Sequence, residues 1–171
     1  MITHLRTLLF GSWIVVAGLM LATAAQAQAP APGGVQGGIT VDGRKTELRY
    51  GHAVIQTSIS TGKPETLLVV TDKPLSAAAA ADRAARKQAR ERDGLRMLEV
   101  VLDKRPDDVT PIFIWVEPMR TTSSTRRHKV ELEPAADKRI KGRVSMDAPW
   151  ESFDNKYLID LRFDVGVLAG K

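Results

Sequence analysis

The chain has 171 residues, and it contains no cysteine, three histidines and only 5% aromatic residues. Without cysteine it can form no disulfide and cannot be anchored through an acylated cysteine, as lipoproteins are. Beyond His4, the histidines are His52 and His128, and neither stands in a zinc-binding spacing such as HExxH. The G-x-S-x-G nucleophile elbow is missing as well. The sequence therefore predicts no metal, no cofactor and no catalytic residues of a known class.

Charge of one sign is not concentrated anywhere in the sequence. Lys and Arg number 25 against 20 Asp and Glu, which gives a net charge of +5. Acidic residues such as Glu131, Glu133 and Asp137 lie between the basic clusters, and no polybasic tail is present. This distribution is typical of a solvated surface, so we do not expect nucleic acid as a partner.

The N-terminus has the pattern of an export signal. Arg6 precedes an apolar run at 8–25, and small residues follow, so that cleavage is expected after Ala27 or Ala29. An uncleaved membrane anchor is the alternative, since the run approaches the length that spans a bilayer. We predict a cleavable signal peptide at 1–29, export to the periplasm or the cell exterior, and no membrane span in the mature chain.

The remainder is predicted to be one domain. Residues 30–38 are rich in Pro and Gly and predict a flexible tether. Residues 39–168 predict a single β-rich domain, and 169–171 a short tail. A mature chain of about 140 residues can bury a sufficient core without disulfides.

The dominant pattern after residue 39 is apolar and polar alternation broken by turn residues. Asp42-Gly43 predicts a tight hairpin, and the run 66–71 predicts a central strand covered on both faces. The clearest alternation is at 157–165, where apolar residues occupy every second position. We predict a mainly β fold, an antiparallel sandwich or small barrel of about eight or nine short strands with one inserted helix.

The inserted helix is predicted at about 76–93 and consists mostly of Ala and Arg. Ser76 is a favourable N-cap, and Gly94 is a plausible terminator. Its buried face is predicted to contain only alanines, so the helix should pack loosely: Ala78, Ala81, Ala85 and Ala89.

Basic residues recur at helical spacing on the opposite face of this helix. We call them the basic stripe: Arg83, Arg86, Lys87 and Arg90. With Arg126 and Arg127 they are the candidate anion-binding residues, for an anionic envelope component or an acidic protein. The alternative is dispersed solvated charge. Both His52 and His128 are predicted to face solvent.

Several short sequence features resemble those of a group of uncharacterised bacterial exported proteins. The resemblance implies a secreted, β-rich single domain and supplies no activity, ligand or site residue. The helix departs from that group, because it has Ala and Arg where larger apolar anchors are expected. The features are Thr40-Val41-Asp42-Gly43, Leu48, Ala53, Thr71-Asp72-Lys73-Pro74-Leu75, Gly94-Leu95, Arg139-Ile140-Lys141-Gly142-Arg143, Phe153, Tyr157, Asp160, Phe163 and Asp164.

Three functions remain open from the sequence. A non-catalytic binding or accessory domain of the cell envelope comes first, since β-sandwiches commonly carry recognition loops. A small enzyme that uses dispersed carboxylates or His52 is the second hypothesis. A structural or interaction subunit that docks through the Ala/Arg helix is the third.

Overall fold

The computed structural model describes residues 34–103 and 109–170 of the protein. The predicted signal peptide at 1–29 and the first part of the predicted tether lie outside these residues. Within them, neither helix has the length and apolar character that would let it cross a bilayer.

The described residues form eleven strands and two helices, which confirms the mainly β fold. There are more strands than the predicted eight or nine, because several hairpins contain strands of only three to five residues. The elements in chain order are β1 (Val35–Val41), β2 (Arg44–Glu47), β3 (Tyr50–Thr57), β4 (Pro64–Thr71), α1 (Ala77–Ala81), α2 (Arg83–Arg92), β5 (Met97–Val101), β6 (Thr110–Val116), β7 (Met119–Thr125), β8 (Lys129–Glu133), β9 (Arg139–Ser145), β10 (Trp150–Ser152) and β11 (Asn155–Ala169).

The strands form one curled sheet that makes a half-barrel. Its main order is β2-β1-β11-β3-β4-β5-β6-β7, while β9 and β10 pair with β11, and β8 pairs with β9. Pairing is antiparallel except between β11 and β3. The last strand, β11, is 15 residues long rather than short, and it joins both halves of the sheet by pairing with β1, β9 and β3.

The core has two parts on opposite faces of the sheet. The larger part fills the concave side and includes Ile39, Leu68, Leu98 and Phe163. The smaller part lies on the outer side, beneath α2: Val54, Leu67, Val69, Ala89, Leu95, Met97 and Val101. Because side chains alternate along a strand, β4 and β5 supply residues to both parts. The prediction that β4 is covered on both faces is therefore confirmed.

The predicted tether boundary at residue 38 is wrong. The first strand begins at Val35, and its residues 35–41 pair with β11 from Phe163 to Tyr157. Gly37 has φ of +113°, and a Cβ there would clash with the Asp160 carbonyl oxygen. Glycine is therefore required at position 37, because the backbones of neighbouring strands approach closely there. The composition of residues 30–38 taken alone resembles that of a linker.

The single predicted helix is in fact two helices. The chain becomes extended at Asp82 (φ −106°, ψ 118°), whose carboxylate then caps α2 by accepting a hydrogen bond from Ala85 N at 3.0 Å. Ser76 caps α1 as predicted. The buried faces of the two helices differ from the predicted alanine face, because Arg86 of α2 is buried and Ala78 of α1 is exposed.

Candidate functional site

A cleft of about 380 Å³ lies between α2 and the outer face of the sheet, and we call it the α2 cleft. Its floor comes from β4, β5 and β6, its roof from α2, and its end wall from the β3–β4 hairpin. It is lined by Gln56, Ser58, Ile59, Ser60, Glu65, Leu67, Arg83, Arg86, Arg90, Glu99, Val101, Phe113 and Trp115.

Local sequence explains why three arginines line this cleft. Arg83, Arg86 and Arg90 are separated by three and four residues, so they share one face of α2. The sequence predicts that this face lies in solvent. The structure instead turns it toward the sheet, where Arg86 is only 2% exposed. The prediction of a solvated basic stripe is therefore wrong for Arg86 and Arg90.

Arg86 forms a buried ion pair with Glu99 in the middle of the cleft. Its Nε donates to Glu99 Oε1 at 2.7 Å, and its two terminal nitrogens donate to Ala80 O at 2.6 Å and Gln56 Oε1 at 2.9 Å. Gln56 in turn donates to Glu65 Oε1 at 3.1 Å. These bonds tie α2 to α1, β3 and β5, so the helix is held by polar contacts that its small alanines could not provide.

Arg90 shares the same carboxylate and stacks on an aromatic ring. Its guanidinium lies 3.6 Å from Glu99 Oε2 and 4.1 Å from the centre of the Trp115 ring. Burial lowers the pKa of Arg90 from its usual value, although an arginine stays charged in proteins. Stacking on tryptophan stabilises such a charge. Among the described residues, Trp115 Nε1 is the buried side-chain donor that lacks a hydrogen-bond acceptor.

The four other predicted anion-binding residues lie on the surface but not together in the cleft. Arg83 is exposed at the cleft mouth, while Lys87 faces away from it and lies 3.9 Å from Glu91. Arg126 and Arg127 belong to the turn after β7, and Arg127 stacks 4.4 Å above the Trp150 ring. The structure therefore brings together only Arg83, Arg86 and Arg90.

The prediction that His128 faces solvent is wrong. Its side chain is 3% exposed, and its Nδ1 donates to Thr110 O at 2.9 Å. The other nitrogen, Nε2, therefore accepts from Tyr157 OH at 2.7 Å, and Ser123 Oγ donates to that phenol oxygen at 2.6 Å. Burial lowers the pKa of His128 and raises that of Tyr157. These groups satisfy one another on the concave side of the sheet.

His52, the residue considered for catalysis, is half-buried rather than facing solvent. Its Nε2 donates to Leu75 O at 3.0 Å, so the ring holds the segment that precedes α1. Across 34–103 and 109–170, no cluster of three or more His, Asp or Glu side chains could hold a metal ion.

Sequence reasoning missed the sheet residues of the cleft, above all Glu99 and Trp115. Glu99 was a detectable signal, because it is the single charged residue in the apolar strand Met97–Val101. A charge in a buried strand needs a partner. Trp115 gave no such signal, because an aromatic residue in an apolar strand is ordinary core.

The chain matches no protein-family model, no curated protein and no solved structure. The geometry of the α2 cleft and its contacts therefore provide the basis for a functional proposal. They combine an apolar floor, fixed cations and a hydrogen-bonding end wall, which is an arrangement suited to binding a small molecule.

Proposed function

We propose that the protein is a non-catalytic binding or accessory domain of the cell envelope, and that it binds a small molecule in the α2 cleft. The observation that carries this proposal is the cleft itself. Its volume of about 380 Å³ lies within the range of roughly 300–1,000 Å³ typical of ligand pockets.

The walls of the cleft support a preformed site. Arg86 ties α2 to neighbouring elements through three hydrogen bonds, and Glu99 is bound on both of its oxygens. Side chains fixed in this way lose little conformational entropy when a ligand arrives. Apolar surface remains available at the mouth, where Ile59 is 79% exposed.

A small ligand is a better match than the extended polyanion considered from the sequence. A polyanion requires a broad basic surface. Arg86 and Arg90 are instead turned toward the sheet, and Lys87 is beside Glu91. The proposed ligand therefore enters the cleft rather than lying along the helix.

The envelope location rests on the export signal in the sequence. Intact-mass measurement of the protein recovered from the envelope or medium tests it. We expect a chain that begins after Ala27 or Ala29. A chain that begins at Met1 and stays in the membrane would contradict export and leave the cleft to be tested on its own.

A neutral apolar fluorescent probe, N-phenyl-1-naphthylamine, tests the cleft. We expect saturable binding of one probe per chain. Ser60→Trp, at the mouth, should block it, whereas Thr61→Trp changes the next residue of the same hairpin outside the cleft lining and should not. Absence of saturable binding, or equal binding by both variants, would refute the cleft as the site.

A further inference from the structure

We propose, on the basis of the function proposed above, that the ligand of the α2 cleft is a medium-chain amphiphile with one anionic group. Its head group contacts Arg83 at the mouth of the cleft. Its apolar chain lies over Leu67, Val101 and Phe113 on the floor.

The balance of charge in the cleft favours an anionic group on the ligand. Three arginines and two glutamates line it, which leaves one positive charge without compensation. Glu99 is shared between Arg86 and Arg90, so it neutralises only part of that pair. An uncompensated positive charge at the mouth of an apolar cleft attracts an anion to that position.

Arg83 is the cation best placed to meet the anion. It forms no hydrogen bond or ion pair with the residues described, unlike Arg86 and Arg90. It is also the first residue of α2, where the positive end of the helix dipole disfavours a cation. Proteins accept such unfavourable placements at functional sites, so this position of Arg83 supports a role in binding.

Two serine hydroxyl groups also line the cleft. Ser58 Oγ and Ser60 Oγ lie 3.1 Å apart in the β3–β4 hairpin, and both residues line the cleft. One hydroxyl donates to the other, so a second proton remains for an acceptor on the ligand. Arginine and hydroxyl donors together suit a carboxylate or a phosphate.

The size of the cleft limits the apolar part of the ligand. A volume of about 380 Å³ would hold about a dozen atoms the size of water, each of which occupies roughly 30 Å³ in the liquid. Decanoate and octyl phosphate are both close to this size. Both have the flexible apolar chain that the aliphatic and aromatic floor can cover.

Calorimetric titration with decanoate, octyl phosphate and neutral decanamide tests the inference. Arg83→Gln and Lys87→Gln form a matched pair, since each removes one exposed charge from α2 and only Arg83 lines the cleft. We expect at least one of the two anions to bind about tenfold or more tightly than decanamide. Arg83→Gln should remove that advantage, whereas Lys87→Gln should preserve it. The stronger anion then shows whether the head group is a carboxylate or a phosphate.

Two results would overturn the inference. Equal affinity for decanamide and both anions would show that the charge is not recognised, and an equal loss in both variants would show that Arg83 has no particular role. In either case, saturable binding of N-phenyl-1-naphthylamine would leave the proposed binding function intact. If none of these molecules bound, both proposals would fail.

Discussion

Replacing Glu99 by leucine should destabilise the domain severely, because it leaves Arg86 charged and buried. The guanidinium of Arg86 is covered on all sides, with a side-chain exposure of 2%. The substitution removes its only ionic partner among the described residues and also one partner of Arg90. Breaking a buried ion pair from one side costs about 3–5 kcal/mol, since the remaining charge is not compensated.

The structure favours the lower end of that range. Arg86 keeps its hydrogen bonds to Ala80 O and Gln56 Oε1 after the change, and Arg90 keeps its contact with Trp115. We therefore expect a loss of about 3 kcal/mol, against a total stability of ~5–15 kcal/mol for a domain of this size. With a urea m-value of about 2 kcal/mol per molar, the unfolding midpoint should fall by about 1.5 M.

Urea unfolding followed by circular dichroism is the assay, and the double variant Arg86→Met with Glu99→Leu is its control. An apolar pair removes both charges at once, so the double variant should recover most of the loss. A midpoint for Glu99→Leu within ~0.3 M of the parent would refute the reasoning. So would a double variant less stable than Glu99→Leu alone.

Three further predictions concern the sheet. Burial lowers the pKa of His128 in the folded state, so below about pH 6.5 the unfolded chain binds a proton at this histidine more readily than the folded chain does. The free energy of unfolding should therefore be highest above about pH 6.5 and should decrease as the pH falls below that value. Urea unfolding midpoints measured from above to below this pH should depend less on pH in His128→Gln. Gly142→Ala should cost at least ~2 kcal/mol, since a Cβ would clash with the Glu131 carbonyl oxygen, whereas Gly166→Ala meets open space and should leave the melting temperature nearly unchanged. Ile159→Asp should prevent folding, because Ile159 is fully buried. Asp160→Asn should lower the free energy of unfolding by less than about 1 kcal/mol in thermal melts, since the ion pair of Asp160 with Arg143 is exposed. Equal losses of stability in the two variants would contradict the assigned register of β11.

The sheet could be predicted where side-chain alternation or turn chemistry decides the structure. The apolar face of β11 is buried from Tyr157 to Val165, as its period-two pattern indicates. Asp42 and Gly43 have φ of +46° and +78°, which are the values that a tight hairpin turn needs. In both places a local rule and the packing of the whole fold agree.

The boundaries of β1 and of the helices were predicted wrongly, because the residues there are compatible with two different local structures. The glycines before Ile39 could belong to a linker or to a strand that approaches its neighbours closely, and only the pairing with β11 distinguishes them. Asp82 could lie within one helix or cap a second one. Such choices depend on tertiary contacts, which no local pattern contains.

The candidate site was predicted only in part, for a related reason. The spacing of Arg83, Arg86 and Arg90 identified a shared helix face. Which way that face points depends on Glu99 and Trp115, which are far away in the sequence and lie on different strands. Basic residues at helical spacing predict an exposed face, whereas pairing with a carboxylate on the sheet allows Arg86 to be buried.

Crystallographic localisation of a bromine-labelled ligand tests the binding site most directly. Crystals of the protein with 10-bromodecanoate should show an anomalous peak over the floor of the α2 cleft, near Leu67, Val101 and Phe113, with the carboxylate within hydrogen-bonding distance of Arg83. A peak elsewhere on the molecule, or the carboxylate directed away from Arg83 with bromine at the mouth, would contradict the account.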